Sequence, residues 1–177
     1  DAADIARRHA AFRALHARPG AFVIPNPWDA GSAKLLAALG FEALATTSAG
    51  FSFSRGKRDS AAAVTRDEML ANAREIVHAT ALPVSADLEN GFGHAPRDCA
   101  RTIRAAMAVG LVGGSIEDAT GDAADPIYPF EAAVARVHAA AQACAGAPFM
   151  LTARAENFLW GRPDLADVVA RLQAFEA

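Results

Sequence analysis

Pro83-Val84-Ser85-Ala86-Asp87-Leu88-Glu89-Asn90-Gly91-Phe92-Gly93 is the stretch that decides the fold. It opens on an apolar run too short for a helix. It then places two acids with one residue between them and closes on a turn with two glycines. Read as a strand running into a loop, it sets Asp87 and Glu89 at the strand's carboxyl end. Four other stretches follow the same order: Phe22–Pro25, Ala43–Thr47, Leu111–Ile116 and Phe149–Ala153. Each is a short apolar run followed by turn residues and then a helical pattern, so five strands are expected.

The helices between them show their ends. Ile5, Phe12 and Leu15 make one face of a leading helix. Asp29 caps a helix that runs to Leu39, with Gly40 just beyond it. Thr65 and Glu68 form a capping box. Pro96 suits the first turn of the next helix, which stops at Gly110. Tyr128-Pro129 opens a helix to about Cys144, and Gly146 ends it. Asp164 starts the last, with Leu165, Val168, Val169 and Leu172 expected to face inward.

Strands alternating with helices imply a parallel sheet with right-handed crossovers. A doubly wound sheet would be complete at 177 residues, whereas a (β/α)8 barrel takes ~250. The polar residues decide between them. Asn26 and Asp29 follow the first run, and Ser48-Ala49-Gly50 and then Asp59 follow the second. Asp87 and Glu89 follow the third, Glu117 and Asp118 the fourth, and Arg154 and Glu156 the fifth. An open sheet gathers its site at one switch point, while a barrel brings every strand end into one ring. The expected class is therefore α/β, of the (β/α)8 TIM-barrel type, with the first five βα units in residues 1–177 as one domain. A five-unit piece alone would expose apolar barrel interior and sheet edges.

Asp87, Glu89 and Glu117 end adjacent strands. Converging carboxylates repel unless a cation sits among them. Hard oxygen ligands suit Mg²⁺ or Mn²⁺, and the absence of His and Cys disfavours zinc. The plainer alternative is that these acids cap helices or pair with arginines. Arg154 could hold a carboxylate, a phosphonate or a developing oxyanion in its fork. Ser48-Ala49-Gly50 offers a hydroxyl and consecutive N–H groups to an anion. His94 reads as a surface or capping histidine, and Trp28 as packing at the barrel mouth.

These motifs, in this order, resemble the isocitrate lyase and phosphoenolpyruvate mutase superfamily. Asp87-Leu88-Glu89-Asn90-Gly91-Phe92-Gly93 is similar to its D-x-D-x-G-[YF]-G loop, with Glu89 in place of the second aspartate. Ile116-Glu117-Asp118 resembles its I-E-D strand end, and Thr152-Ala153-Arg154 its T-A-R motif. Thr47-Ser48-Ala49-Gly50, followed by Asp59, resembles its carboxylate-binding loop, and Asn26-Pro27-Trp28-Asp29-Ala30 its first strand-to-helix turn. The resemblance implies a barrel, Mg²⁺ and chemistry through the enolate of a small oxo acid. It implies that Asp87 ligates the metal directly and that Glu89 and Glu117 hold it through water. It places the substrate carboxylate on Ser48 and the N–H groups of Ala49 and Gly50. Arg154 would stabilise the leaving or transferred group, and Asp59 would stand near the metal waters or the substrate. Asp87, Arg154, Glu117 and Asp59 are thus candidates for binding and catalysis.

The departures are specific. The family's C–C lyases carry K-[KR]-C-G-H after the I-E-D strand. Here Ala119-Thr120-Gly121-Asp122-Ala123-Ala124-Asp125-Pro126 holds no Lys, Cys or His. The Lys and the Asn-Ser pair of the phosphoryl mutases are missing too. An Mg²⁺-dependent enzyme cleaving or forming a C–C bond, less readily a P–C bond, is the leading expectation. A non-catalytic barrel that binds Mg²⁺ and an oxo acid is the alternative, and an unrelated open-sheet protein a third.

Composition narrows the partners. Seventeen basic and 20 acidic residues give a net charge of −3 without a run of one sign. That argues against nucleic acid or a membrane surface as a partner. No apolar run reaches ~20 residues. Cys99 and Cys144 lack metal or redox spacing and read as buried thiols in a reducing cytoplasm. A small carboxylate substrate and a homo-oligomer of the full-length protein are expected.

Overall fold

The computed structural model describes residues 1–59 and 63–177. Helix α1 (Ala2–Ala17) is followed by α2 (Ala30–Ala38), β1 (Leu44–Ala45), α3 (Ser48–Ser54), α4 (Arg66–Ala79) and β2 (Val84–Asp87). Then come α5 (Pro96–Ala108), β3 (Gly113–Glu117), α6 (Phe130–Cys144), β4 (Met150–Arg154) and α7 (Leu165–Glu176). The expected caps form: Asp29 on α2, the Thr65–Glu68 box on α4, Pro96 in the first turn of α5 and Asp164 on α7.

The sheet is wholly parallel, in the order β1-β2-β3-β4. Each crossover thus advances one strand in the same direction. A doubly wound sheet must reverse that direction once, and the described strands do not. This is the winding of a barrel wall, in keeping with the (β/α)8 class.

One expected strand is not a ladder strand. Residues 22–25 run beside β1 on the side away from β2, where Ala45 N–H donates to the Pro25 carbonyl at 3.1 Å. Asn26 Nδ2 adds a bond to the Ala45 carbonyl at 3.0 Å. The reason is covalent: Pro25 and Pro27 have no N–H to donate, so a ladder cannot propagate. The segment stands in the first strand's place without pairing as one.

Along each strand, successive side chains face opposite sides. Leu44, Val84, Ala86 and Ile116 pack outward against Ala33, Ile76, Ile103 and Ala140 of the helices, forming the main core. The other face carries Ser85, Asp87, Gly113, Ser115 and Glu117, which are small or polar. Helix α1 closes the amino ends of the strands, with Phe12 and Leu15 against Ala43 and Val112. The strands' carboxyl ends are thereby left for the site. Gly113 makes that closure possible, because a Cβ there would lie 2.9 Å from Phe12 Cε1 and 3.0 Å from Ser85 Oγ.

The inward stripe expected on α7 is corrected. Leu165, Val169 and Leu172 are exposed, and the buried member of the helix is Arg171. The expected stripe is met in part: Val168 is half-buried, and Leu172 stands with Phe175 beside Val137, Leu151 and Ala153. Arg171 is held by Asp118, just past β3, and by the Tyr128 carbonyl, as described below. Both cysteines are buried and unpaired, as expected. No helix among the described residues is long and apolar enough to cross a membrane.

Gly113→Ala is expected to lower unfolding stability by about 1–3 kcal/mol, the cost of overpacking a filled interior. Urea denaturation reads this; a midpoint equal to wild type would show that Phe12 yields without cost.

Candidate active site

Because the strands are parallel, their carboxyl ends meet on one side. The period of two then selects which residues share it: Asp87 ending β2 and Glu89 just beyond it, Glu117 ending β3, and Arg154 ending β4 with Glu156 just beyond it. All five line one cavity of about 260 Å³, with Ser48, Ala49 and Asp59 from the β1 side and Ala119, Gly121 and Leu159 completing the wall. Gly50, the third member of the expected anion loop, is not in this lining. A larger hollow of about 450 Å³ lies beyond the β2–α5 loop, lined by Arg66, Phe92, His94 and Arg101 among others. It shares Glu89 and Asn90 with the central cavity.

Asp87 is held from three sides. Its Oδ2 accepts from Ser48 Oγ at 2.7 Å and from the Ser48 N–H at 3.2 Å, and its Oδ1 accepts from the Glu89 N–H at 3.2 Å. Ser48-Ala49-Gly50 is not a loop, as expected, but the first turn of α3. Thr47 is its N-cap and accepts from the Gly50 N–H at 3.1 Å. A Cβ at Gly50 would lie 2.6 Å from Thr47 Cγ2, so the cap itself demands glycine there. Trp28 is half exposed beside this turn, and its carbonyl accepts from Asn72 Nδ2.

Glu89 has φ +48°, a left-handed backbone that a non-glycine residue seldom adopts and that costs on the order of 1–2 kcal/mol. Its carbonyl accepts the Glu117 N–H at 3.0 Å, locking the β2 loop to the end of β3. Aspartate tolerates this conformation better than glutamate. The longer acid at position 89 therefore stands at a backbone position suited to the shorter one.

Charge in the cavity is unbalanced. Arg154 lies 3.9 Å from Asp87, 3.8 Å from Glu117 and 3.9 Å from Glu156, too far for hydrogen bonds. One guanidinium thus faces five acids: Asp59, Asp87, Glu89, Glu117 and Glu156. Burial, reinforced by the charge of Asp87, pushes Glu117 up to about 8 and Glu89 up to about 7. Burial likewise raises Asp59 and Glu156 above the ordinary carboxylate range. Among the described residues no three His, Cys, Asp or Glu side chains are gathered into a ready ligand set. Asp87, Glu89 and Glu117 share the cavity, but Asp87 is turned to Ser48 and Glu117 leans toward Arg154.

The neighbouring strand-end acid has another task. Asp118 faces away from Glu117 and is 1% exposed. It accepts from the Glu156 N–H at 2.8 Å and from Arg171 Nη1 at 3.1 Å. Arg171 also reaches the Tyr128 carbonyl at 2.9 Å and Asp167 at 2.7 Å. A second buried arginine, Arg136 of α6, lies under the Tyr128 ring with Cζ 4.1 Å from its centroid. The Tyr128 hydroxyl in turn pairs with His94 Nδ1 at 2.7 Å. Sequence reasoning missed Arg136 and Arg171 as parts of the site, and it placed Glu156 at a strand end without giving it a role. Helical spacing could have found the arginines: Arg136 lies on the apolar stripe of Ala133, Val137 and Ala140, and Arg171 between Val168 and Phe175. Glu156 follows Arg154 by two, so it faces the same side.

Comparison with known proteins agrees with this geometry. The family model described as phosphoenolpyruvate phosphomutase matches residues 12–177. The chain is 38% identical over 96 residues to 2,3-dimethylmalate lyase of Eubacterium barkeri, covering 54% of the chain and 33% of that protein. It is 29% identical over 171 residues to oxaloacetate decarboxylase of Chromohalobacter salexigens, covering 94% and 58%. Among solved structures, a Burkholderia cenocepacia J2315 protein provisionally called a lyase/mutase is 59% identical, with a TM-score of 0.94, covering 98% of this chain and 62% of that one. Phosphonopyruvate hydrolase, in complex with oxalate and Mg²⁺, is 25% identical with a TM-score of 0.88, covering 96% and 59%. The chain thus spans less than two thirds of each of these proteins. With strand order, cavity and family model in agreement, the chain belongs to the phosphoenolpyruvate phosphomutase family, within the phosphoenolpyruvate mutase and isocitrate lyase superfamily.

Proposed function

We propose that the protein is an Mg²⁺-dependent enzyme that cleaves or forms a C–C bond in a small α-oxo or 2-hydroxy acid. The observation that carries this reading is the cavity itself: five acids facing one arginine at the strand ends, in a space of about 260 Å³. That volume lies below the range of drug-sized pockets and suits a short acid. The donor set fits a hard divalent cation, since it is all oxygen and in excess of the cationic charge. Asp87 would ligate directly, and Glu89 and Glu117 through water, in keeping with the open spacing of the three. The bound ion supplies a Lewis acid that offsets negative charge developing on the substrate's carbonyl oxygen.

The chain's own residues do the rest. The Ala49 N–H at the start of α3 is the donor left for the substrate carboxylate on the β1 side, while Ser48 spends its hydroxyl and N–H on holding Asp87. Arg154, whose guanidinium makes no hydrogen bond among the described residues, holds the departing or transferred group in its fork. Asp59 stands near the substrate on the β1 side. Ala49, Ala119 and Leu159 are the apolar members of the lining.

A second reading has its own support. The loop after β3 is closed on itself: the Thr120 N–H donates to the Pro126 carbonyl at 2.8 Å, and Ala119 bridges Ile127. It presents no Lys, Cys or His to the cavity. A barrel that binds the metal and an oxo acid without turnover would look the same. Calorimetry with Mg²⁺ and oxalate, set beside turnover of oxaloacetate, 2-methylisocitrate, 2,3-dimethylmalate and phosphonopyruvate, separates the two. Binding without product selects the binding module, and no binding at all sinks both.

For the enzyme, Asp87→Asn and Arg154→Lys are each expected to lower kcat/KM at least about 100-fold, the scale of losing a transition-state donor or ligand. Circular dichroism should stay unchanged. Activity within threefold of wild type in either variant would remove that residue from the mechanism.

The raised acids give a pH prediction. Folded Glu89 and Glu117 titrate near 7 and 8, against 4.5 for the ordinary group. The folded state therefore binds more protons between those values, and the two acids cost stability above their folded pKa. That cost shrinks as pH falls through 8 and 7 and is gone below about 4.5. In chelator, the melting temperature should rise as pH drops from about 9 to about 6, and Glu117→Gln should flatten the rise. A flat wild-type profile would show that these carboxylates are not held close and dry.

A further inference from the structure

Arg136 is 1% exposed, and among the described residues it forms no ion pair with a carboxylate. Burying a guanidinium without a counter-charge is costly unless its donors are well used. Two are. Nη1 donates to the His94 carbonyl and Nη2 to the Asn90 carbonyl. The Tyr128 ring covers its face, and Nε is buried without a partner. The cation therefore spends itself on two carbonyls of one loop.

That loop needs holding. Glu89 (φ +48°), Gly91 (φ +83°) and Phe92 (φ +57°) all lie in the left-handed region, three of four consecutive residues. Two of them are not glycine, and such backbone persists only where its surroundings impose it. At Gly91 no side chain could be added, since a Cβ would lie 2.9 Å from Cys99 Sγ and 3.0 Å from Cys99 Cα. Thr102 Oγ1 pins the Gly91 carbonyl at 2.8 Å. Arg136 grips the carbonyls on either side of that pin, and the nearer one belongs to the residue directly after Glu89.

We infer that Arg136 is a positioning residue for Glu89: its fork fixes the Asn90 and His94 carbonyls so that Glu89 keeps its left-handed backbone and its carboxylate stays in the central cavity. The functional consequence rests on the proposed Mg²⁺ site, whereas the grip on the loop does not. Lysine cannot replace it, because a single ammonium does not span two carbonyls in a planar fork.

The test uses Arg136→Lys and Arg136→Met in the intact protein, with two readouts. Hydrogen exchange without metal is expected to quicken at least about tenfold at amides 89–94 in both variants, while the β2–β3 ladder keeps its wild-type rates. Calorimetry with Mg²⁺ alone should show affinity lowered about 10- to 100-fold, as for other groups that orient a ligand from behind. Wild-type exchange at 89–94 in either folded variant would overturn the inference. So would global unfolding of both variants, which would make Arg136 a general core element. Local loosening together with a wild-type protein that binds no Mg²⁺ would uphold the clamp and refute the proposed function instead.

Discussion

Parallel strands must all end on the same side, and that constraint governs everything else in this protein. Once β1 to β4 run in sequential order, the period of two delivers every second strand-end residue to one cavity. Here those residues are acids, with one guanidinium among them. Like charges at close quarters in a half-dry space raise one another's proton affinity. The alternation that buries Val84, Ala86 and Ile116 under the helices also aims Asp87 and Glu117 into the cavity. Core and site are two faces of the same strands.

The helices supply what the strands cannot. Arg171 from α7 and Arg136 from α6 reach past the apolar layer to hold the loops beyond the strand ends. Tyr128 joins them, offering its carbonyl to one and its ring to the other. The groups that face the cavity are therefore oriented by a buried polar layer behind them, so Arg154 and Glu156 need no direct bond to each other to keep their places.

Much of this was legible in the residues. The strand ends, the capping boxes and the two-residue spacing of Asp87 and Glu89 are local signals, and local signals survive in a linear chain. The family motifs pointed to Ser48, Ala49, Asp59, Glu117 and Arg154 of the lining. What escaped was set by long-range geometry. The Phe22–Pro25 run has a strand's composition but lacks the donors to pair as one. Leu165, Val169 and Leu172 make a plausible inward stripe, but they are exposed and the buried member of α7 is Arg171. The anion loop after β1 proved to be the first turn of a helix, because Thr47 caps it. Arg136 drew no reading from the sequence, since charge is expected at the surface by default. Only its spacing along the apolar face of α6 hinted otherwise.

The two prolines beside β1 have a further consequence. A strand that offers carbonyls but withholds N–H groups can accept a neighbour's bond without templating another strand of its own. Pro25 and Pro27 let the chain cover the flank of β1 while leaving it a poor seed for edge-to-edge growth. The missing donors leave β1 to take its register from β2, where Leu44 pairs with Val84 and Ala45 with Ser85.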